Sequence, residues 1–436
     1  MNPTNRLSIA DGVGAAATTA PARPGKASNR SGSKSAPPAG TPGPAEPVQL
    51  SLEALSKYVV AFFSSLRLTV VCLVLGLLLV FLGTLAQVDM GLYKAQNEFF
   101  RSFLVYWGPK TPHWHLPFFI FPGGYLVGGV LLVNLVTAHF MRFKWTRAKA
   151  GIWMTHFGLI LLLVGQLMTD MLSRESTLHL REGEAKNYTE AARQSELAVI
   201  DTTQPDVDTV VAIPQGAMGQ GKEIRNPELP FAVRVKTFYA NSSVEERKGD
   251  SAAPASTQGI GQRAVVRDLP RVTEMDVRDV PSAVVEIVTP QGSMGTWLVS
   301  EFVNGNQSFT YNGHTYQLTM RPRRYYQPFS LQLLQFRHDI YAGTDIPKNF
   351  SSRVRLERPD TGENREVLIY MNNPLRYAGE TFYQADFDKD NHGTILQVVH
   401  NPSWLTPYLS CILVGLGLVV QFATHLLGFT LKRKAA

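Results

Sequence analysis

Four stretches of this chain are long enough and apolar enough to cross a bilayer, and they limit everything else it can be: Leu68 to Ala86, Phe118 to Phe140, Gly151 to Met168 and Pro407 to Phe429. A bilayer core takes about 20 residues of helix, and none of the four stretches contains Asp, Glu, Lys or Arg. A buried helix of a large soluble enzyme can imitate one such stretch, but not four. The fold class expected is an integral membrane α-helical protein of four spans carrying a mainly β extracytoplasmic domain.

Basic residues close to the spans orient them, because cytoplasmic loops carry the Lys and Arg excess. Arg142, Lys144, Arg147 and Lys149 follow the second span, and Lys432, Arg433 and Lys434 follow the fourth. Both termini are therefore expected on the cytoplasmic side. The formal charge of +7 is then topological. No basic patch interleaved with aromatics is left over to suggest nucleic acid.

Residues 1–49 are rich in Ala, Pro, Gly, Ser and Thr and read as a disordered cytoplasmic extension. Residues 50–172 hold spans one to three, entered by a helical lead-in with Leu52, Leu55, Val59 and Phe62 on one stripe. The outer loop between the first two spans carries Trp107, His113, Trp114 and His115, suited to a membrane-interface belt. Residues 173–404 form the large domain, and 405–436 the last span and a basic tail. Strand patterns recur in the domain at Ser282 to Val288, Gln317 to Met320, Val354 to Leu356 and Val367 to Tyr370, with a hairpin turn at Asp360-Thr361-Gly362. Gly216 to Lys222 and Glu245 to Gln262 read as exposed loops.

The chemistry is sparse outside the membrane. His179, His314, His338, His392 and His400 lack metal-ligand spacing, and no catalytic or phosphate-binding motif appears. The basic run Arg321-Pro322-Arg323-Arg324-Tyr325-Tyr326 reads as a solvated strand edge. Cys72 and Cys411 fall at different depths and are not expected to form a disulfide. The absence of Cys-x-x-Cys argues against thiol redox chemistry in this chain.

The membrane spans themselves hold three histidines, His139, His156 and His425. Ionisable groups in a span usually face a bundle interior and mark a pathway or ligand site. His139 lies three residues from Arg142, His156 seven past Lys149 and His425 seven before Lys432, so all three occupy the cytoplasmic half. Gly417 and Gln421 precede His425 on a small and polar stripe, and Tyr125 and Gly128 fall near the face of His139. Haem ligation and proton relay are both open to imidazoles so placed.

The run Met371-Asn372-Asn373-Pro374-Leu375-Arg376-Tyr377-Ala378-Gly379-Glu380-Thr381-Phe382-Tyr383-Gln384, followed by a strand, Asn401-Pro402 and a last span, resembles the signature of the ResB (CcsB) cytochrome c biogenesis proteins. Ser65-Leu66-Arg67-Leu68, Gly83-Thr84-Leu85 and His156-Phe157-Gly158 are similar to further family positions. Read from its residues alone, the run is structural. Pro374 pushes Asn373 to an extended conformation, Gly379 supplies a positive φ, and Thr381 to Gln384 alternates like a strand that seats the domain on the last helix. Tyr383 and Gln384 are candidates for direct contact with haem or apocytochrome.

The resemblance implies a subunit of a system II cytochrome c synthase in the bacterial cytoplasmic membrane. Haem b in transit is the expected cofactor, with a CcsA (ResC) subunit, apocytochrome c and membrane lipid as partners and no nucleic acid. It also implies a membrane histidine pairing with one from the partner to hold haem iron, carried to His139 with His156 in reserve. No residue of this chain is expected to act as an acid or base catalyst. The competing reading is a membrane-anchored envelope sensor or assembly scaffold without haem.

Overall fold

The computed structural model describes residues 52–107, 119–142, 146–248, 253–275, 277–303, 307–343 and 347–435. The expected extension of 1–49, together with His113, Trp114, His115, Lys144 and Trp145, lies outside the described residues. The membrane part runs α1 (Leu52–Phe63), α2 (Leu66–Met90), α3 (Leu92–Ala95), β1 (Leu104–Trp107), β2 (Phe119–Pro122), α4 (Gly124–Arg142) and α5 (Ala150–Leu172), and is completed at the end of the chain by α6 (Thr406–Ala435). Helices α2, α4, α5 and α6 are long and apolar enough to cross a membrane.

The second span is shorter at its start than its apolarity suggested. Phe119–Pro122 pairs antiparallel with Leu104–Trp107, and the helix begins only at Gly124. Pro122 cannot donate within a helix, and at Gly123 and Gly124 the backbone of Ser102 and Phe100 approaches too closely for a side chain.

The lead-in to the first span is a separate helix. Ser65 is extended, with φ −77° and ψ 129°, which breaks α1 from α2 and leaves carbonyls without helical partners. Asn134 in α4, only 1% exposed, resolves this: its amide donates to the carbonyls of Phe63 at 2.6 Å and Ser65 at 3.0 Å. Its carbonyl accepts from the Thr69 hydroxyl at 2.6 Å. A polar residue in an apolar span is thereby used to pin a helix break.

Helices α5 and α6 pack through a seam of small residues. Gly151, Gly158 and Gly165 repeat at seven-residue spacing and are all buried. A Cβ added at Gly151 would lie 2.5 Å from Gly417 O, at Gly158 2.8 Å from Val414 Cγ2 and at Gly165 2.4 Å from Thr406 Cγ2. Lipid tails are as apolar as Leu, so close backbone approach rather than hydrophobic burial holds such a pair. At one end the Ser403 hydroxyl lies 2.8 Å from that of Thr169 and donates to Gly165 O at 3.3 Å.

Between α5 and α6 lies the β lobe: β3 (Arg174–Arg181), β4 (Ala185–Asp201), β5 (Thr209–Pro214), β6 (Glu223–Ile224), β7 (Ala232–Tyr239), β8 (Ser242–Glu246), β9 (Ala264–Asp268), β10 (Ser282–Thr289), β11 (Gly292–Ser300), β12 (Gln307–Tyr311), β13 (His314–Ile340), β14 (Pro347–Arg358), β15 (Glu363–Tyr370), β16 (Leu375–Tyr377), β17 (Glu380–Phe387) and β18 (Gly393–His400). One sheet runs β15-β14-β13-β4-β3-β18-β17-β16, and its outer strands meet: Tyr370 bridges to Asn373, and the Tyr377 hydroxyl donates to Glu363 at 2.5 Å. It is a near-closed barrel around Leu180, Leu333, Leu356, Ile369, Phe382 and Leu396.

The long strands β4 and β13 leave the barrel and enter a second core. There β12, β13, β4 and β5 face the sheet β11-β10-β7-β6 across Leu197, Ile213, Val233, Val285, Trp297 and Leu318. The ladder between β4 and β13 shifts register between Pro322 and Arg324 and again between Tyr326 and Leu331. A proline has no N–H to give the ladder, and a bulge or a strand stretch open on one side is where one is tolerated.

The structure adds detail to two sequence expectations. The Arg321 to Tyr326 run lies in the middle of β13, where β4 pairs with one side and, among the described residues, no strand pairs with the other: β12 pairs only up to Leu318 and β14 only from Ser330, so the run is a partly exposed strand edge. Arg321 bonds Glu196 at 2.9 Å with both side chains largely buried, and Arg324 stacks 4.1 Å over Tyr188. The two loops are mostly exposed, as read, but contain structure that their composition did not show. Met218 is buried in the sandwich core, and Glu245 and Glu246 belong to β8, paired with β9. Apolar anchors in Gly-rich segments are invisible to a reading by composition.

The α5–α6 seam generates a stability test. Gly158→Leu forces a branched side chain into Val414 and is expected to cost about 1–3 kcal/mol by overpacking. Thermal unfolding of the detergent-solubilised protein should show a lowered midpoint, whereas Gly128→Leu, where an added Cβ meets nothing within 4 Å, should leave it close to native.

Candidate functional site

The link between α4 and α5 is short, so the antiparallel helices bring His139 and His156 to the same end of the bundle, beside Arg147 and Lys149. Their rings are nearly parallel, 24° apart, with centroids at 6.2 Å. Trp153, one turn before His156, meets the His139 ring edge-on at 4.0 Å, and Phe140 flanks it at 5.4 Å. His139 is only 1% exposed, whereas His156 is partly exposed.

His156 Nδ1 lies 2.8 Å from the carbonyl of Ile152. A carbonyl only accepts, so this contact places the proton on Nδ1 and gives Nε2 the lone pair that a metal would take. The arrangement is two imidazoles and an indole packed between two spans, chemistry suited to an apolar planar ligand with a coordinating metal.

His425 is not part of this group. It lies on an exposed face of α6, with Nε2 2.6 Å from the Gln421 amide. The small stripe read beside it does face a helix: Gly417 packs against Thr155 and Gly151, and the Gln421 backbone against Gly151. Tyr125 and Gly128 do not line the His139 site. Tyr125 donates to Asp170, which also pairs with Arg101 at 2.8 Å, forming a polar cluster at the opposite end of α4 and α5.

The signature-like run occupies the root of the barrel. Its turns use left-handed backbone at Asn372, with φ 62°, and in the Ala378-Gly379 pair, with φ 49° and 82°, the geometry of a two-residue hairpin between β16 and β17. Pro374 leads into β16, and Arg376 stacks 4.4 Å over Trp404, just before α6. The run thus contacts the entry to the last helix, as its residues suggested. Tyr383 is partly exposed on β17. Gln384 is occupied internally: its carbonyl accepts from Ser352 at 2.6 Å and its amide donates to Thr394 at 3.0 Å.

Glu380, in the same run, is the polar centre that sequence reasoning missed. It is 4% exposed and accepts from Arg174 at 2.8 Å and Gln327 at 3.2 Å, with His400 Nδ1 at 3.5 Å. Arg174 follows α5 and His400 precedes α6, so one carboxylate ties together the strands continuous with both helices. A buried acid beside a positive-φ glycine was the available signal. Asn134 and Trp153 were also missed, and for them the only signal was a polar or bulky aromatic residue inside an apolar span.

The remaining histidines each have a local partner: His179 with Asp388 at 2.9 Å, His314 with Asp201 at 2.8 Å, His392 with Glu182 and His338 with Asn391, both at 3.2 Å. Among the described residues no group of three or more His, Cys, Asp or Glu is arranged to hold a metal ion. Cys72 and Cys411 are free thiols.

Four spans, a near-closed barrel rooted on the last two, and an imidazole pair between the middle two define a multi-pass membrane protein with a large β lobe. Residues 291–395, from the start of β11 into β18 and including the signature-like run, match the model of the ResB-like family. Protein NrfI of Wolinella succinogenes is 26% identical over 293 residues, which cover 67% of this chain and 29% of NrfI. The chain thus spans well under a third of the length of that curated relative.

Two outcomes follow from the barrel root. Glu380→Ala leaves Arg174 without its carboxylate. Removing one partner of a fully buried pair costs about 3–5 kcal/mol, but Arg174 is 36% exposed, so about 1–3 kcal/mol is expected in chemical unfolding. Nearby, hydrogen bonds from Tyr377 first and Arg365 second hold the Glu363 carboxyl below the usual carboxylate range. Its folded value lies under its unfolded value of about 4.3, so its stabilisation is present above that pH and is lost as pH falls through the lower folded value. The stability gap between native protein and Glu363→Gln should therefore shrink below about pH 4; a gap constant from pH 7 to 3 would refute this.

Proposed function

We propose that this protein is a subunit of a system II cytochrome c synthase, which helps carry haem across the cytoplasmic membrane and presents it for thioether attachment to apocytochrome c. The observation that carries this reading is the His139–Trp153–His156 group inside the spans of a ResB-like chain. In this reading the Lys- and Arg-flanked end of the bundle is cytoplasmic, both termini lie there, and the β lobe stands on the outer side. Residues 1–49 form a cytoplasmic extension, 50–172 the first three spans, 173–404 the outer lobe, and 405–436 the last span with its tail.

Haem is cargo here. Its iron is held by His139, or by His156 through Nε2, together with an imidazole from a CcsA (ResC) subunit, and the indole of Trp153 lines the apolar wall. His139 is enclosed within this chain, so its use as a ligand requires α4 and α5 to part at that end; His156 requires no such motion. The partner's external site then receives the haem, and the apocytochrome thiols add to its vinyl groups there. The barrel braces that site through the rigid root at Glu380, and this chain supplies no acid or base.

The test is the visible absorption spectrum of the complex purified with its CcsA-like partner, for native chain, His139→Ala and His156→Ala. Bis-imidazole Soret and α/β bands that weaken by about tenfold or more in one variant alone assign the ligand to that histidine. Cytochrome c maturation that depends on the chain while no preparation carries haem would overturn the reading in favour of a scaffold.

A further inference from the structure

Sheet edges expose rows of unpaired backbone groups, and proteins blunt them with charges, prolines, bulges, short strands or cover. Most edges of this β lobe carry such a device. The barrel edges β15 and β16 meet each other. Strand β6 has only two residues, and beyond it Lys222 and Gly221 bond both backbone groups of Val235 in β7. The outer side of β11 is covered by Gln258, whose N–H donates to Thr296 O at 2.9 Å. Strand β12 is clamped where Gln307 accepts from the Ile260 N–H at 3.1 Å. The β8–β9 hairpin is studded with Glu245, Glu246, Arg267 and Asp268.

Strand β5 has none of these. It pairs only with β4, in unbroken register from Thr209 opposite Asp201 to Pro214 opposite Glu196. No residue within it is charged, and its proline stands at the last position. Val211 and Ile213 are buried in the sandwich core and hold the strand in place, while Ala212 and Pro214 on the other face are exposed. Immediately before it, Asp206 and Asp208 are exposed and make no ion pair among the described residues.

We propose that the β5 edge docks an extended segment of another polypeptide, which adds as a strand beside β5 and places Lys or Arg against Asp206 and Asp208. Strand addition draws affinity from main-chain hydrogen bonds and selectivity from the flanking side chains. A second copy of this chain fits less well. Its own segment from Gln204 to Gln215 has no basic residue, so pairing β5 with β5 leaves the aspartates uncompensated. The inference is independent of where haem binds.

The probe is a fluorescein-labelled decapeptide of alternating Thr and Val ending in two lysines, with a matched peptide ending in two glutamates. Fluorescence anisotropy with the full detergent-purified chain should show the lysine peptide binding at least about fivefold more tightly. Ala212→Pro, checked for native unfolding temperature, should weaken the lysine peptide by about tenfold. The double variant Asp206→Asn/Asp208→Asn, which leaves the backbone untouched, should reduce the discrimination to under about twofold. The proposal is overturned if neither peptide binds, if folded Ala212→Pro binds unchanged, or if discrimination survives in the double variant. It is also overturned if the chain instead dimerises in a concentration-dependent way that Ala212→Pro abolishes, which would make β5 an interface between copies.

Discussion

The contact on which the rest of the structure depends is the close approach of α5 and α6. Three glycines let the backbones meet, and the chain leaves α5 directly into β3 and enters α6 directly from β18. Because β3 and β18 are antiparallel partners from Arg174 opposite His400 to Arg181 opposite Gly393, the helix pair continues outward as a strand pair. The barrel is therefore an extension of the membrane bundle rather than a domain on a linker. Glu380 sits where helix packing gives way to sheet, bonded to the first residue of β3 and close to the last of β18.

The same economy shapes the β lobe. Strands β4 and β13 each serve two cores, and the bulges at Pro322 and beyond Tyr326 let one ladder turn from barrel to sandwich. A domain built on shared strands is stiff across the junction, because bending it breaks main-chain pairing in both lobes. Charged residues at the junction are consumed in holding it. Arg321 is neutralised by Glu196, while Arg174 and Arg324 stack on Tyr325 and Tyr188. The run read in sequence as a solvated strand edge thus also braces the junction through Arg321 and Arg324.

What was legible in the sequence follows from how each signal arises. The four spans are a matter of length and apolarity, and the hairpin at Asp360-Thr361-Gly362 has its own turn chemistry, with Gly362 at φ 69°. The membrane-facing role of the Asn372 to Gln384 run could be read from Pro374, Gly379 and the alternation after it. The edge position of Arg321 to Tyr326 was legible from its density of charge, but the pairing of Arg321 with Glu196 was not, because strand order is a long-range property. The burial of Met218 failed for a related reason, since one anchor residue carries a segment whose composition is that of a loop. Helical spacing put Tyr125 near the face of His139 but could not show its partner, Asp170, at the far end of α5.

Polar residues within the spans separate into distinct roles once their surroundings are known. Asn134 is fully used, its amide and carbonyl both satisfied by the break between α1 and α2, so its presence in hydrocarbon needs no ligand. His425 lies on an exposed helix face one turn from Gln421, near the charged end of its span, where a polar side chain can reach the interface at little cost. His139 and His156 fit neither description. They come from different helices and meet at the basic end of the bundle across a stack that includes Trp153. Intramembrane imidazoles are costly to keep. Of the three histidines, these two pack against each other, His139 buried and His156 partly exposed.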